Sequence, residues 1–82
     1  MEKKFYVYIL LTERDTYYCG YTDDLEKRFR AHVNGRGAKY TKANKPIKIV
    51  WQKEFNTKQE AQKEEYRIKR LKRADKEKLI LS

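Results

Sequence analysis

One continuous third of the chain combines phosphate-neutralising cations with aromatic rings. Residues 27–53 contain no Asp or Glu and carry nine basic side chains. Tyr40 and Trp51 lie among these charges and offer surfaces for stacking, although Trp51, in an apolar segment, is better suited to the core. Cations interleaved with aromatic rings are typical of nucleic-acid binding. The nine cations are Lys27, Arg28, Arg30, Arg36, Lys39, Lys42, Lys45, Lys48 and Lys53.

The overall charge balance supports this interpretation. The 82 residues include 21 Lys and Arg against 12 Asp and Glu, which gives a net charge of +9. The excess lies entirely within residues 27–53, because basic and acidic side chains are equal in number elsewhere. A solvated charged face is the alternative, but a concentrated positive charge favours a polyanionic partner. The residues expected to contact it are Arg36, Lys39, Tyr40, Lys42 and Lys45.

The remaining composition restricts the class of protein. A chain of 82 residues is expected to form one domain, residues 1–82, which excludes a multidomain enzyme. One Cys and one His are too few for an internal disulfide or a structural zinc site, and Cys19 is expected to be buried. The longest apolar run, residues 5–11, is too short for a membrane span. We expect a cytoplasmic monomer with no membrane partner.

Two tyrosine-rich segments predict a β-hairpin. Residues 5–11 and 17–21 are rich in aromatic and β-branched side chains and flank the polar residues 12–16. A loop of this length pairs Leu11 with Tyr17, and the register of the whole hairpin follows. Because side chains alternate along a strand, one face is the predicted core. That face carries Phe5, Val7, Ile9, Leu11, Tyr17, Cys19 and Tyr21.

The opposite face of this hairpin brings two phenols together. In the predicted register Tyr8 pairs with Gly20, and Leu10 pairs with Tyr18. Tyr8 and Tyr18 are therefore diagonal neighbours, beside an open space over Gly20 where a larger side chain would stand. Without further context, packing beneath a helix is the favoured interpretation of these rings.

A first helix carries two polar side chains beside its apolar stripe. Thr22 or Asp23 is the expected N-cap, and the helix runs to about Val33. At about 100° per residue, Arg28 and His32 flank the apolar stripe. Without a functional role, Arg28 would be a surface cation and His32 a hydrogen-bonded, half-buried histidine.

A basic loop, a third strand and further helix complete the predicted order of elements. The loop reaches Pro46, and residues 47–55 follow as the strand. Thr57 and Glu60 form a capping box that begins the second helix. Helical character then continues to Leu81 with a break near residues 72–74.

Four short motifs occur in order along nearly the whole chain. They are Tyr6-Val-Tyr8, Tyr18-Cys-Gly20, Leu25-x-x-Arg28 with His32 one turn later, and a Glu-bearing helix after the third strand. Each motif is common by itself, but together and in this order they make the chain resemble the GIY-YIG nuclease superfamily. Tyr6 stands where the family has its first glycine, and Cys19 stands where it has isoleucine. Two further segments resemble the small stand-alone bacterial members: Gly37-Ala-Lys-Tyr-Thr41 and Ile68-Lys-Arg-Leu71.

The resemblance implies a fold, an activity and a set of site residues. The implied fold is α+β, with a three-stranded antiparallel sheet packed by helices. The implied activity is hydrolysis of phosphodiester bonds in nucleic acid, DNA more than RNA, with Mg²⁺ or another divalent cation. Carried over by position, Tyr8 and Tyr18 are the paired catalytic tyrosines and Gly20 is the motif glycine. Arg28 is the helix arginine, and His32 occupies a position that is His or Tyr in the family.

The resemblance also implies one metal-binding glutamate. The Ala-x-x-x-Glu spacing of the family, counted from Ala61, selects Glu65, and helical angles leave Glu64 as the second candidate. By sequence alone, Glu65 and Lys69 are an ordinary helix ion pair. A single carboxylate suits Mg²⁺, which is often held by one or two carboxylates together with substrate oxygens and water.

These side-chain types suit the implied reaction if they meet in one pocket. Hydrolysis needs a deprotonated water and stabilisation of charge on the phosphoryl oxygens. Arg28 can hold a phosphate through two parallel N–H bonds, either Tyr8 or Tyr18 can act as the base, and His32 can share the proton transfer. The alternative is a nucleic-acid-binding module that keeps the fold without catalysis.

Overall fold

Residues 3–82, the part of the chain that the computed structural model describes, form three strands and four helices. This arrangement confirms the predicted α+β class, with one antiparallel sheet and helices packed against it. In chain order the elements are β1 (Phe5–Thr12), β2 (Tyr17–Thr22), α1 (Leu25–Val33), α2 (Lys39–Ala43), β3 (Pro46–Phe55), α3 (Lys58–Lys69) and α4 (Arg73–Leu81).

The central strand of the sheet is β1, which pairs with β2 on one side and β3 on the other. Tyr8 pairs with Gly20 and Leu10 pairs with Tyr18, so the predicted hairpin register is confirmed. Since β1 has a neighbour on each side and helices above and below, its side chains are buried on both faces. Both faces of the sheet therefore contribute to the interior.

One face of the sheet forms the hydrophobic core against α3. Val7, Ile9 and Cys19 from the sheet are buried against Ala61 and Ile68 of the helix. Full burial of an aliphatic side chain contributes roughly 1.5–3 kcal/mol, so this face supplies much of the folding free energy. Side chains that are only partly buried pack around it, and among them are Phe5, Tyr17, Tyr21 and Trp51.

The predicted capping residues Thr57 and Glu60 begin α3, but they form only the N-cap bond of a capping box, and their second bond joins the two side chains. The Thr57 hydroxyl accepts the N–H of Glu60 at 3.2 Å and donates to the Glu60 carboxylate at 3.0 Å. The break that separates α3 from α4 falls at residues 70–72, slightly before the predicted position. None of the helices in the described part of the chain has both the length and the apolar character needed to cross a membrane.

The predicted N-cap of α1 is wrong by one residue. Asp24 is the cap, and its carboxylate accepts the N–H of Lys27 at 3.1 Å. The two predicted caps have other partners. The Thr22 hydroxyl accepts the Asp24 N–H at 3.1 Å, and the Asp23 carboxylate pairs with Lys3 at 2.7 Å. Local sequence did not distinguish three adjacent residues that all favour caps.

The basic loop contains a short helix, α2, that the sequence did not predict. It has five residues and no side-chain cap hydrogen bond, so it lacks the usual start signal and is too short for a clear periodicity. Within α2, the side chain of Thr41 is buried, while Lys39 and Lys42 are exposed. β3 follows and begins at Pro46, one residue before the predicted strand. The chain therefore returns to the sheet directly from α2.

Candidate active site

The second face of the sheet is built around the ring of Tyr8. Tyr8 is only 2% exposed, and Leu10 beside it is fully buried. Gly20 makes this packing possible, because a Cβ there would lie 2.5 Å from Tyr8 Oη and 2.8 Å from Tyr8 Cζ. The prediction of an open space over Gly20 is therefore wrong. The Tyr8 phenol fills it and lies against the backbone of β2.

His32 lies at the centre of the buried side of α1. It is 1% exposed, whereas Val33 is 38% exposed, so the buried stripe is centred on His32 and the prediction that His32 only flanks it is wrong. Its Nε2 lies 2.8 Å from Tyr8 Oη, and its Nδ1 lies 2.6 Å from Thr41 Oγ1. Burial of this polar ring is favourable because both nitrogens have hydrogen-bond partners.

Burial sets the protonation states of this pair. It lowers the pKa of His32 to about 4, and the Arg28 guanidinium acts in the same direction. Burial also raises the pKa of Tyr8 to about 12, against the opposing effect of Arg28 beside the hydroxyl. Both groups are therefore neutral at pH 7. Tyr8 acts here as a hydrogen-bonding group and is a poor base.

We expect the protein to lose stability as the pH falls from about 6.5 to about 4. His32 has a pKa that is lower in the folded state, about 4 against 6.5, so the unfolded chain binds more protons across this window. The expected loss is on the order of 2–3 kcal/mol, or roughly 10–20 °C in melting temperature for a domain of this size. Thermal melts at several pH values measure it.

A His32→Gln variant provides the control for this pH effect. Glutamine keeps hydrogen-bonding capacity but does not titrate, so the variant is expected to be less stable at pH 7 and to lose less stability on acidification. The carboxylates titrate in both proteins, so their contribution cancels when the stability of the variant is subtracted from that of the wild type at each pH. Parallel pH profiles for the two proteins would contradict the assignment to His32.

Tyr18 is the more open of the two phenols. It lies half-buried on the edge strand β2. His32 packs edge-on against its ring with centroids 5.3 Å apart, and Tyr40 stacks on it at 5.9 Å. Lys69 Nζ lies 5.7 Å from the ring centroid, in a cation–π arrangement. Tyr18 is therefore surrounded by one side chain from each of α1, α2 and α3.

Arg28 connects the Tyr8 hydroxyl with a basic surface hollow. It lies one turn before His32 on α1 and is half-buried. The hollow it lines has a volume of about 480 Å³ and includes Lys3, Lys58 and the carboxylate of Asp23, which pairs with Lys3. Three cations around one acidic group leave the hollow with a positive balance that suits an anion.

The two candidate glutamates of α3 have different neighbours. Glu64 accepts two hydrogen bonds from Arg67, at 2.7 and 3.0 Å, and this guanidinium holds the pKa of its carboxyl below the usual value. Glu65 lies next to β2, where its carbonyl oxygen faces the Cys19 thiol at 4.0 Å. The Glu65 carboxylate lies 3.6 Å from Lys69 Nζ. Glu65 is therefore the glutamate beside the strand that carries Tyr18.

Five of the predicted site residues lie together in the structure, and a sixth is linked to them through another side chain. The five are Tyr8, Tyr18, Gly20, Arg28 and His32. Glu65 approaches from the opposite face of the sheet and is linked to Tyr18 by Lys69. The expectation of one open pocket needs correction, because the Tyr8 ring is buried.

A comparison with protein families identifies this arrangement. Residues 4–78 match the family model described as the GIY-YIG catalytic domain. The chain belongs to the GIY-YIG family. The family match covers every strand and most of the helical residues, so the GIY-YIG domain accounts for nearly the whole chain.

Small bacterial proteins are similar to this GIY-YIG chain over almost its full length. A UPF0213 protein of Oceanobacillus iheyensis is 48% identical over 80 residues, covering 98% of this chain and 93% of the relative. One from Staphylococcus saprophyticus is 49% identical over 77 residues, covering 94% of each. The solution NMR structure of a UPF0213 protein from Bacillus halodurans has a TM-score of 0.61 at 42% identity, covering 94% of this chain and 82% of that one. The placement among small stand-alone bacterial members is confirmed.

The GIY-YIG site offers a divalent cation a single carboxylate. Within residues 3–82 no group of three or more His, Cys, Asp or Glu side chains is arranged to hold a metal. Glu65 has a partly accessible side chain, 19% exposed, with Lys69 as its cationic neighbour. This donor set fits Mg²⁺ that takes its other ligands from water and substrate, and it does not fit a metal that needs a protein cage.

The predicted nucleic-acid residues are all exposed. They are Arg36, Lys39, Tyr40, Lys42 and Lys45. Tyr40 connects them to the site because its ring stacks on that of Tyr18. Tyr18, the more open of the two phenols, therefore adjoins the positive segment of residues 27–53.

Three residues to which the sequence assigned no role in the site also shape it. Thr41 contacts the imidazole of His32, and a Cβ at Gly37 would overlap the same ring. A buried threonine and a glycine at a close approach give no local signal, because their partners lie on other elements. Lys69 is different, since its spacing from Glu65 predicts the observed ion pair but not its position over Tyr18.

Proposed function

We propose that this GIY-YIG protein is a nuclease that hydrolyses phosphodiester bonds, in DNA more than in RNA, with Mg²⁺ or another divalent cation. The observation that carries the proposal is the grouping of Arg28, Tyr18 and His32 on the second face of the sheet, beside the exposed basic segment. The preference for DNA follows from the family resemblance.

Arg28 is proposed to hold the scissile phosphate. Its guanidinium can make two parallel hydrogen bonds to phosphoryl oxygens, and these strengthen as negative charge develops there. This guanidinium lies beside the Tyr8 hydroxyl and lines the cationic hollow, where a phosphate would be attracted.

Tyr18 is proposed to act as a phenolate that accepts the proton of the attacking water and becomes the neutral phenol; Lys69 and a bound divalent cation would stabilise the phenolate charge. Of the two phenols, Tyr8 is excluded from this role because its hydroxyl is hydrogen-bonded to His32 and burial raises its pKa to about 12. Tyr18 is less buried and lies beside the imidazole and Lys69. His32 then supports the site as a neutral hydrogen-bonding group.

Glu65 is proposed to hold the divalent cation. A bound Mg²⁺ supplies charge stabilisation and lowers the pKa of its water ligands. Glu65 is favoured over Glu64 because both oxygens of Glu64 are engaged by Arg67. The ion pair between Glu65 and Lys69 is exposed enough to exchange for a metal at low cost.

A cleavage assay with and without metal tests the proposal. The purified protein is incubated with plasmid, branched and single-stranded DNA and with RNA, in Mg²⁺ or in chelator. We expect cleavage only with Mg²⁺ and a rate about 10²-fold lower for Tyr18→Phe. Tyr17→Phe is the matched control, because Tyr17 is the neighbouring phenol on the core face of β2, and it is expected to cleave normally.

A nucleic-acid-binding module without catalysis is the second candidate function. The observation in its favour is that the Glu65 carboxylate already has Lys69 as a cationic partner. Tight binding with no cleavage of any substrate would support this function. Cleavage that persists unchanged in Tyr18→Phe would indicate a contaminating nuclease.

A further inference from the structure

Thr41 contacts the ring nitrogen of His32 that faces away from Tyr8. The Thr41 side chain is buried, and its Oγ1 lies 2.6 Å from Nδ1 of His32 and 3.0 Å from the carbonyl oxygen of Ala38. A carbonyl oxygen only accepts hydrogen bonds, so the single hydroxyl proton of Thr41 goes to Ala38. A lone pair of Oγ1 then faces the imidazole, and Nδ1 carries the ring proton.

The opposite tautomer, with no proton on Nδ1, leaves the Ala38 carbonyl with fewer hydrogen-bond donors. If Nδ1 had no proton, the Thr41 hydroxyl would have to donate to it, and the Ala38 carbonyl would keep only the Lys42 N–H, at 3.1 Å, as a donor. The Ala38 N–H also points toward Nδ1, but at 3.4 Å it is too distant to outweigh the 2.6 Å contact. The geometry therefore favours the tautomer with the proton on Nδ1.

The position of this proton decides how the Tyr8 hydroxyl is oriented. With Nδ1 protonated, Nε2 accepts the Tyr8 O–H at 2.8 Å, and the lone pairs of the phenol oxygen are available to the adjacent Arg28 guanidinium. With Nε2 protonated instead, the phenol hydrogen would turn away from His32 and toward a cation. The first arrangement is electrostatically the better one.

We propose that Thr41 is a positioning residue that keeps the His32 proton on Nδ1 and thereby orients Tyr8 and Arg28. The hydrogen-bond chain runs from Tyr8 through His32 and Thr41 to the Ala38 carbonyl. Its effect on cleavage rests on the proposed function, whereas the position of the imidazole proton does not.

NMR of the imidazole nitrogens tests this proposal directly. The chain contains one His, so a long-range ¹H–¹⁵N spectrum reports on His32 alone. At pH 7 the wild type and Thr41→Ser are expected to show a protonated Nδ1 and an unprotonated Nε2. Thr41→Val, which lacks the hydroxyl but has nearly the same volume, is expected to move the proton toward Nε2.

A Tyr8→Phe variant separates the influence of Thr41 from that of Tyr8. It removes the hydrogen-bond partner of Nε2, and the proton is expected to stay on Nδ1 if Thr41 holds it there. A wild-type spectrum with Nε2 protonated overturns the proposal, as does loss of the Nδ1 proton in Tyr8→Phe. If Thr41→Val fails to fold, the spectra of the other proteins still decide.

Kinetics measure the consequence for the proposed reaction. Thr41→Val is expected to lower kcat about tenfold with little change in KM, and Thr41→Ser is expected to restore it. An altered tautomer with unchanged kcat overturns the proposed effect on Arg28. Absence of cleavage in every protein, including the wild type, counts against the proposed function, and the NMR result then decides the tautomer proposal independently.

Discussion

Replacement of Arg28 by alanine is expected to slow cleavage about 10³-fold at saturating substrate, with a much smaller loss of binding. The guanidinium lies beside the Tyr8 hydroxyl and lines the basic hollow, where it can stabilise charge that develops in the transition state. Arg28→Lys is expected to recover little of the rate, because an ammonium cannot make two parallel bonds to a phosphate. Single-turnover rates and binding affinities measured on the same substrate give the two effects separately.

Arg30→Ala is the matched control for this experiment. It removes the same charge from the same helix, but Arg30 is exposed and pairs with Glu26 at 2.8 Å. We expect its rate at saturating substrate to stay within about twofold of the wild type, since an exposed pair contributes little. Equal losses for Arg28→Ala and Arg30→Ala would show that only total charge matters.

Replacement of Glu65 by glutamine is expected to reduce metal-dependent cleavage by about 10³-fold. Glutamine has nearly the same shape but no negative charge, so the proposed cation loses its one protein carboxylate. Rates measured over a range of Mg²⁺ concentrations are expected to show a higher metal requirement as well as a lower maximum. Melting curves should change little, because the ion pair with Lys69 is partly exposed.

Glu64→Gln tests whether the neighbouring glutamate has been distinguished correctly. Glu64 accepts two hydrogen bonds from Arg67. The Glu64→Gln substitution is therefore expected to lower the stability by at most about 1 kcal/mol and to leave cleavage intact. Loss of cleavage in Glu64→Gln with retention in Glu65→Gln would reverse the assignment.

The parts of the fold that depend on residues close together in the sequence could be predicted from the sequence. The loop between the first two strands determined the register that pairs Tyr8 with Gly20, because strand side chains alternate with a period of two. Thr57 and Glu60 located the start of α3, because the N-cap hydrogen bond joins residues only three positions apart in the sequence. Both features depend on short stretches of chain.

The features that the sequence did not predict depend on contacts between distant elements. His32 is buried because Tyr8 and Thr41, from β1 and α2, satisfy its two nitrogens. An apolar stripe measured along α1 alone cannot include that information. The space over Gly20 was misjudged because the size and tilt of the Tyr8 ring are set by packing.

The link between Glu65 and the phenols is another tertiary feature. Spacing along α3 predicts the ion pair of Glu65 with Lys69, but the approach of Lys69 to Tyr18 depends on how the helix crosses the edge of the sheet. Lys69 therefore links the Glu65 carboxylate to Tyr18 around the edge strand β2, and the motif order does not predict this link.

The two glycines at close approaches constrain how this protein can evolve. A side chain at Gly20 would collide with the Tyr8 ring, and one at Gly37 would collide with the His32 ring. Neither position can accept a larger residue unless the facing ring becomes smaller at the same time. Single-step mutational routes through these positions are closed, so descendants of this sequence are expected to change each glycine and its facing ring as a pair or to keep both.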